Sequence, residues 1–174
     1  MTVTDTAQER VERLRRFEAV LRRDVRLVVE ATLDALDAEA PHWRRGTAGP
    51  LTRGRLTELA RVVDARLGRL LHQRVVRLGE EYPAADEALD DDPTARAFLG
   101  EYRSRLDVFL RDALAAVDQE PCPPPARGDL FAAPVTPAGD PAETATAGEV
   151  AATVQHLDRL RRRLAPDAED LAVR

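Results

Sequence analysis

The side chains that most often carry out catalysis are few in this chain and lie far apart in its sequence. The only serine is Ser104 and the only cysteine is Cys122, and neither has a histidine close by in sequence to activate it. The three histidines fall in separate segments, at His42, His72 and His156. We therefore expect a protein that is not an enzyme.

Metal and cofactor sites are not predicted either. Glu39 and His42 have the spacing that carboxylate-bridged di-iron bundles use, but Pro41 lies between them and the pair occurs once. The acidic run at 86–92 lacks the central glycine and the distal glutamate of a calcium-binding helix-loop-helix. No glycine-rich phosphate loop is present. We expect no metal ion and no cofactor.

Arginine is the most informative charged residue. All 26 basic residues are arginine, and lysine, asparagine and isoleucine are missing, as in proteins of GC-rich bacterial genomes. A predicted second helix is rich in arginine and has few acids, whereas residues 80–92 carry seven acids and no base. The acids could neutralise that helix, or its arginines could bind an acidic protein or phosphates. The candidate binding residues are Arg66, Arg69, Arg74 and Arg77.

A second candidate surface lies near the C-terminus, where a basic cluster at 159–163 adjoins apolar residues at helical spacing. Such a basic amphipathic helix can bind an anionic membrane or the groove of a partner. It lacks the aromatic residue typical of a membrane anchor, which favours a partner helix, in the same molecule or in another. Its candidate contact residues are Val154, Leu157, Arg161 and Leu164.

The elements that must hold these residues are helices. Apolar residues recur at spacings of three and four in three segments, about 7–39, 52–79 and 93–119. Thr6 and Glu9 form a capping-box pattern, and prolines follow each segment. We predict an all-α fold in which the three helices form an antiparallel bundle. The first helix also has a partial second apolar stripe, which consists of Val20, Leu27 and Leu33. Burial of this stripe would need a homodimer or a covering helix.

A fourth, shorter helix is predicted at about 147–164, after a second capping-box pattern at Thr146 and Glu149. Its apolar stripe is narrow, so we expect it to dock on the bundle or on a partner. The sequence thus divides into a helical bundle at 1–120, a proline-rich linker at 121–145, and a C-terminal helix and tail at 146–174. Leu130 and Phe131 form an apolar pair in the linker, which either packs on the bundle or is a short motif for a partner.

These features indicate an adaptor, assembly or regulatory protein that acts through a protein partner or through self-association, a dimer included. The alternative is a nucleic-acid-associated protein, against which the net charge of −5 argues. The chain has a single cysteine, no secretory signal and no apolar run long enough to span a membrane. We therefore expect a cytoplasmic protein.

Overall fold

The described part of the chain consists of four α-helices and one short 3-10 helix. The computed structural model describes residues 6–47, 49–82, 93–119 and 142–165. These elements are α1 (Ala7–Glu39), the 3-10 helix (Trp43–Arg45), α2 (Arg53–Glu81), α3 (Pro93–Gln119) and α4 (Ala147–Leu164). The all-α prediction is confirmed, and α2 extends two residues beyond its predicted end. Residues 120–141, most of the proline-rich linker with Leu130 and Phe131, lie outside the described residues.

Threonine caps define where three of the helices begin. Glu9 donates its backbone N–H to Thr6 Oγ1 at 3.2 Å, and the Glu9 carboxylate accepts from the Thr6 backbone N–H at 2.9 Å. Thr146 and Glu149 repeat this reciprocal pair at the start of α4. Thr52 caps α2 by accepting from the Arg55 backbone N–H. Each cap satisfies an amide that has no partner inside the helix, which stabilises that helix by about 1 kcal/mol.

A single apolar core unites the four helices. Leu14 of α1, Leu67 of α2, Leu110 of α3 and Leu157 of α4 are each 0% exposed and belong to one cluster. Complete burial of a leucine stabilises the fold by roughly 1.5 to 3 kcal/mol. Most of the folding free energy therefore comes from the faces that the spacing of apolar residues predicts.

Charged and aromatic contacts pair α1 with α2 along their length. Arg55 binds Glu39 near one end, with 2.8 Å between Nη2 and Oε1. Arg74 binds Asp24 further along, with 2.7 Å between Nη2 and Oδ2. Tyr82, just after α2, meets Phe17 edge to face, with 6.2 Å between ring centroids. Later positions on α2 thus contact earlier positions on α1.

Tyr102 connects α3 to α1 through a partly buried polar cluster. Its hydroxyl donates a hydrogen bond to Glu18, which also accepts from Arg22 Nε at 3.0 Å. Burial raises the pKa of Glu18, but the hydrogen bonds from Tyr102 and Arg22 outweigh it, so that the pKa lies below its usual value. Burial, followed by the hydrogen bond to Glu18, raises the pKa of Tyr102 to about 12.

We expect the Tyr102 hydroxyl to make stability fall at high pH. Its unfolded pKa is about 10, so the folded chain holds the phenolic proton more tightly. Its contribution is therefore complete below pH about 10 and is lost as pH rises through about 12. Tyr102→Phe should lower the free energy of unfolding by about 1 kcal/mol near neutral pH, and the difference should shrink as pH rises. Urea unfolding of both proteins across this pH range measures the difference in their free energies of unfolding. A difference that stays constant with pH would contradict this role of the Tyr102 hydroxyl.

The fourth helix packs on α1 and on the 3-10 helix. Its inner face is buried, and Arg26 of α1 donates from Nε to the Ala165 carbonyl at 3.4 Å. On α1, Leu33 lies against the core, Val20 is half-buried and Leu27 stays 56% exposed. The fourth helix therefore docks on α1 of the same chain. Its buried residues are Val150, Thr153, His156, Leu157, Leu160 and Leu164.

A short pairing of backbone segments fixes the start of α4 beside the start of α2. Thr52 and Thr144 form an isolated antiparallel bridge. Arg53 donates its backbone N–H to the Glu143 carbonyl at 2.9 Å, and Ala145 donates to the Leu51 carbonyl at 2.8 Å. The Arg53 side chain also binds Glu143 and, through Nε at 2.8 Å, Glu149. We call this set the N-terminal clasp.

No helix in the described ranges is both long enough and apolar enough to cross a membrane.

Candidate interaction surface

The side of α2 that faces away from the core combines exposed valines with arginines. Val62 is 39% exposed and Val76 is 44% exposed. The step of fourteen positions from one to the other makes close to four helical turns, so the two side chains lie about 21 Å apart on one face. We call this face the α2 outer face; it consists of the exposed residues Val62, Ala65, Arg66, Arg69, Gln73, Val76 and Arg77.

The arginines of the α2 outer face are not neutralised within the described residues. Arg66, Arg69 and Arg77 are exposed, and among the described ranges none of them forms an ion pair. Arg69 Nε donates only to the Ala65 carbonyl of its own helix, at 3.2 Å. No acidic side chain occupies an exposed position between residues 59 and 79. The face is therefore positive along its middle three turns.

The remaining predicted arginine of this set, Arg74, belongs to the interior. Its side chain is 14% exposed, binds Asp24 and lies over the Phe17 ring, with 5.5 Å from Cζ to the ring centroid. Arg74 follows Leu67 by seven positions and precedes Leu78 by four, which puts it on the buried side of α2. This spacing could have placed Arg74 on the buried side of α2 from the sequence alone. Arg74 joins α1 to α2, whereas the other three lie together on the α2 outer face.

Two further arginines of α2 also bind carboxylates of the chain. Arg55 binds Glu39 and Glu58, and its hydrogen bonds lower the pKa of Glu39. Arg53 is part of the N-terminal clasp. The arginines of α2 thus fall into two groups, one that binds carboxylates of the chain and one that faces outward.

The candidate residues of α4 face the bundle instead of solvent. Leu157 and Leu164 are buried at 0% and 1% exposure. Arg161 is half-buried and binds Asp158, with 3.1 Å between Nη2 and Oδ1. Val154 lines a shallow groove of about 310 Å³ beside Trp43. A partner can reach Leu157 and Leu164 only if α4 leaves α1.

Three side chains that line the groove beside Val154 bind one another. Trp43 Nε1 donates to Asp37 at 2.9 Å. Arg44 lies over the Trp43 ring, with 5.2 Å from Cζ to the centroid, and pairs with Asp37 at 3.8 Å.

A second groove, of about 570 Å³, lies between the first turns of α1 and α3. Phe98 lines it, is 47% exposed and stacks on Tyr102 with 6.1 Å between ring centroids. Sequence spacing places Phe98 on the apolar stripe of α3, yet its ring stays largely in solvent. Within the described ranges, no three histidine, cysteine, aspartate or glutamate side chains are grouped so that they could hold a metal ion.

Comparison of the chain with protein-family models, with curated proteins and with solved structures finds no match.

Proposed function

We propose that this chain is a non-enzymatic helical adaptor, assembly or regulatory protein of the cytoplasm, and that it acts by binding another protein through the α2 outer face. One observation carries the proposal: that face combines exposed valines with arginines that form no ion pair among the described residues, while the neighbouring arginines Arg53, Arg55 and Arg74 bind carboxylates of the bundle. Interface centres combine apolar side chains with arginine in this way.

The bundle suits this role because it holds the face rigid. In the proposed architecture α1, α2 and α3 form an antiparallel bundle, which the contacts of Arg55 with Glu39 and of Arg74 with Asp24 support. Leu67 and Leu71, on the opposite side of α2, are 0% exposed. A preorganised helix loses little conformational entropy when a partner binds.

Introducing a negative charge at each of the two valines is expected to weaken partner binding strongly. Val62→Asp with Val76→Asp places a carboxylate towards each end of the α2 outer face but leaves the core intact, so stability should change by no more than about 0.5 kcal/mol per site. In affinity capture from cross-linked producing cells, we expect the variant to retain at least about tenfold less of the proteins that the unchanged chain retains. Light scattering on the same samples reports self-association.

Val108→Asp is the matched control, because Val108 is 55% exposed and belongs to α3, not to the α2 outer face. It should retain the same proteins as the unchanged chain. Identical capture by all three chains would contradict the proposal.

The alternative function is association with nucleic acid. It is favoured by the outward arginines Arg66, Arg69 and Arg77, which could each contact a phosphate. Val62 and Val76 would then have no apolar partner, and the net charge of −5 opposes approach to a polyanion. We therefore rank it second.

A further inference from the structure

We infer that the partner of the α2 outer face is an acidic amphipathic α-helix. This inference rests on the proposed function and specifies the kind of protein surface that the face accepts. Two properties of the face carry it: the spacing of its small and apolar residues and the placement of its arginines.

The spacing favours a helix as the partner. Val62, Ala65, Arg69 and Val76 follow one another at intervals of three, four and seven residues, which is the seam along which two helices pack side by side. Ala65 is small and exposed, so the partner backbone can approach closely at that turn. A ridge of about 21 Å between the valines matches about fourteen residues of a second helix.

The charges favour an acidic partner. Arg69 lies on the seam itself, while Arg66 and Arg77 lie along one flank and the exposed Arg61 lies on the other. A helix with glutamates on both sides of an apolar stripe could place a carboxylate near each guanidinium. A basic helix would meet four like charges and be rejected, which gives the face its specificity.

A phosphate backbone fits less well than such a helix. Phosphates would satisfy the arginines but would leave Val62 and Val76 against water or sugar edges, with no apolar surface to bury. Nucleic acid is therefore an outcome that the test must be able to detect.

The test uses the full chain and a labelled synthetic helix of three heptads, with leucine at the two seam positions and glutamate on both flanks. A second peptide has the same composition but alternates its leucines, so that no single helical face is apolar. A third replaces glutamate by lysine, and duplex and single-stranded DNA complete the set. Fluorescence anisotropy at low and at high salt gives each dissociation constant.

We expect the acidic amphipathic peptide to bind at least about tenfold more tightly than the other peptides and both DNAs. Val62→Ser with Val76→Ser should weaken it about tenfold without changing its salt dependence. Arg66→Gln, Arg69→Gln and Arg77→Gln together should weaken it mainly at low salt. Val108→Ser, the matched control on α3, should leave the affinity unchanged.

Equal binding of the two acidic peptides would overturn the inference, because charge alone would then explain it. Tighter binding of DNA than of any peptide would overturn it as well and would favour the nucleic-acid alternative. If no peptide binds while cellular capture still depends on Val62 and Val76, the inference fails and the proposed function stands. If the capture also becomes independent of these valines, both fail. Unchanged circular dichroism of each variant excludes misfolding as the cause.

Discussion

Leu157→Asp is expected to release α4 from α1 and leave α1, α2 and α3 folded. Leu157 is completely buried in the shared core. Truncating such a leucine to alanine costs about 2 to 5 kcal/mol, and an unpaired buried carboxylate costs more. An isolated helix of this length is marginal in water, so α4 should unfold once it leaves α1.

Hydrogen exchange measured separately for α4 and for α2 tests this expectation. Amides of α4 should lose nearly all protection, whereas those around Leu67 in α2 should keep most of theirs. Gln155→Asp is the control, because Gln155 is exposed on the same helix and the change introduces the same charge. Equal loss of protection in both helices would mean that the four helices unfold as one unit.

Arg74→Met is expected to lower the free energy of unfolding by about 2 to 3 kcal/mol. The substitution removes the more buried of two guanidinium groups that bind Asp24 and leaves the exposed Arg23, and loss of such a charged hydrogen bond costs about this much. It also removes the contact of the guanidinium with the Phe17 ring. Methionine fills a similar volume, so packing around the α1 and α2 contact should be kept.

Arg69→Met is the matched control, since Arg69 is exposed and its Nε donates only to a carbonyl of its own helix. Its effect should stay within about 0.5 kcal/mol. Chemical denaturation of both variants gives their free energies of unfolding. The dependence of this free energy on denaturant concentration should be unchanged. Equal effects would show that Arg74 contributes no more than a surface arginine.

The helices could be predicted because their signals are local. Thr6 with Glu9 and Thr146 with Glu149 mark helix starts within four residues, and the apolar spacing marks the buried faces. The position of α4 could not be predicted in the same way. It depends on contacts such as Arg53 with Glu149, which are separated by 96 positions. No local pattern encodes a pairing of that separation.

The candidate surface could be predicted only in part, because its residues are defined by their position relative to the core and by their partners in the fold. Composition alone grouped Arg74 with Arg66, Arg69 and Arg77, because all four are arginines of one helix. Separating them requires the helical angle of each residue relative to the core, and then the partner that only the fold supplies, Asp24. The exposure of Val62 and Val76 likewise cannot be predicted until the position of the core relative to α2 is known.

The N-terminal clasp has a consequence for any molecule that competes for the α1 side of the bundle. Because α4 belongs to the same chain and its first turn is held next to Thr52, its effective concentration at α1 is on the order of millimolar or higher. A rival helix must overcome this intramolecular advantage at its own cellular concentration. Displacement therefore requires either a far tighter ligand or loosening of the Arg53 contacts first.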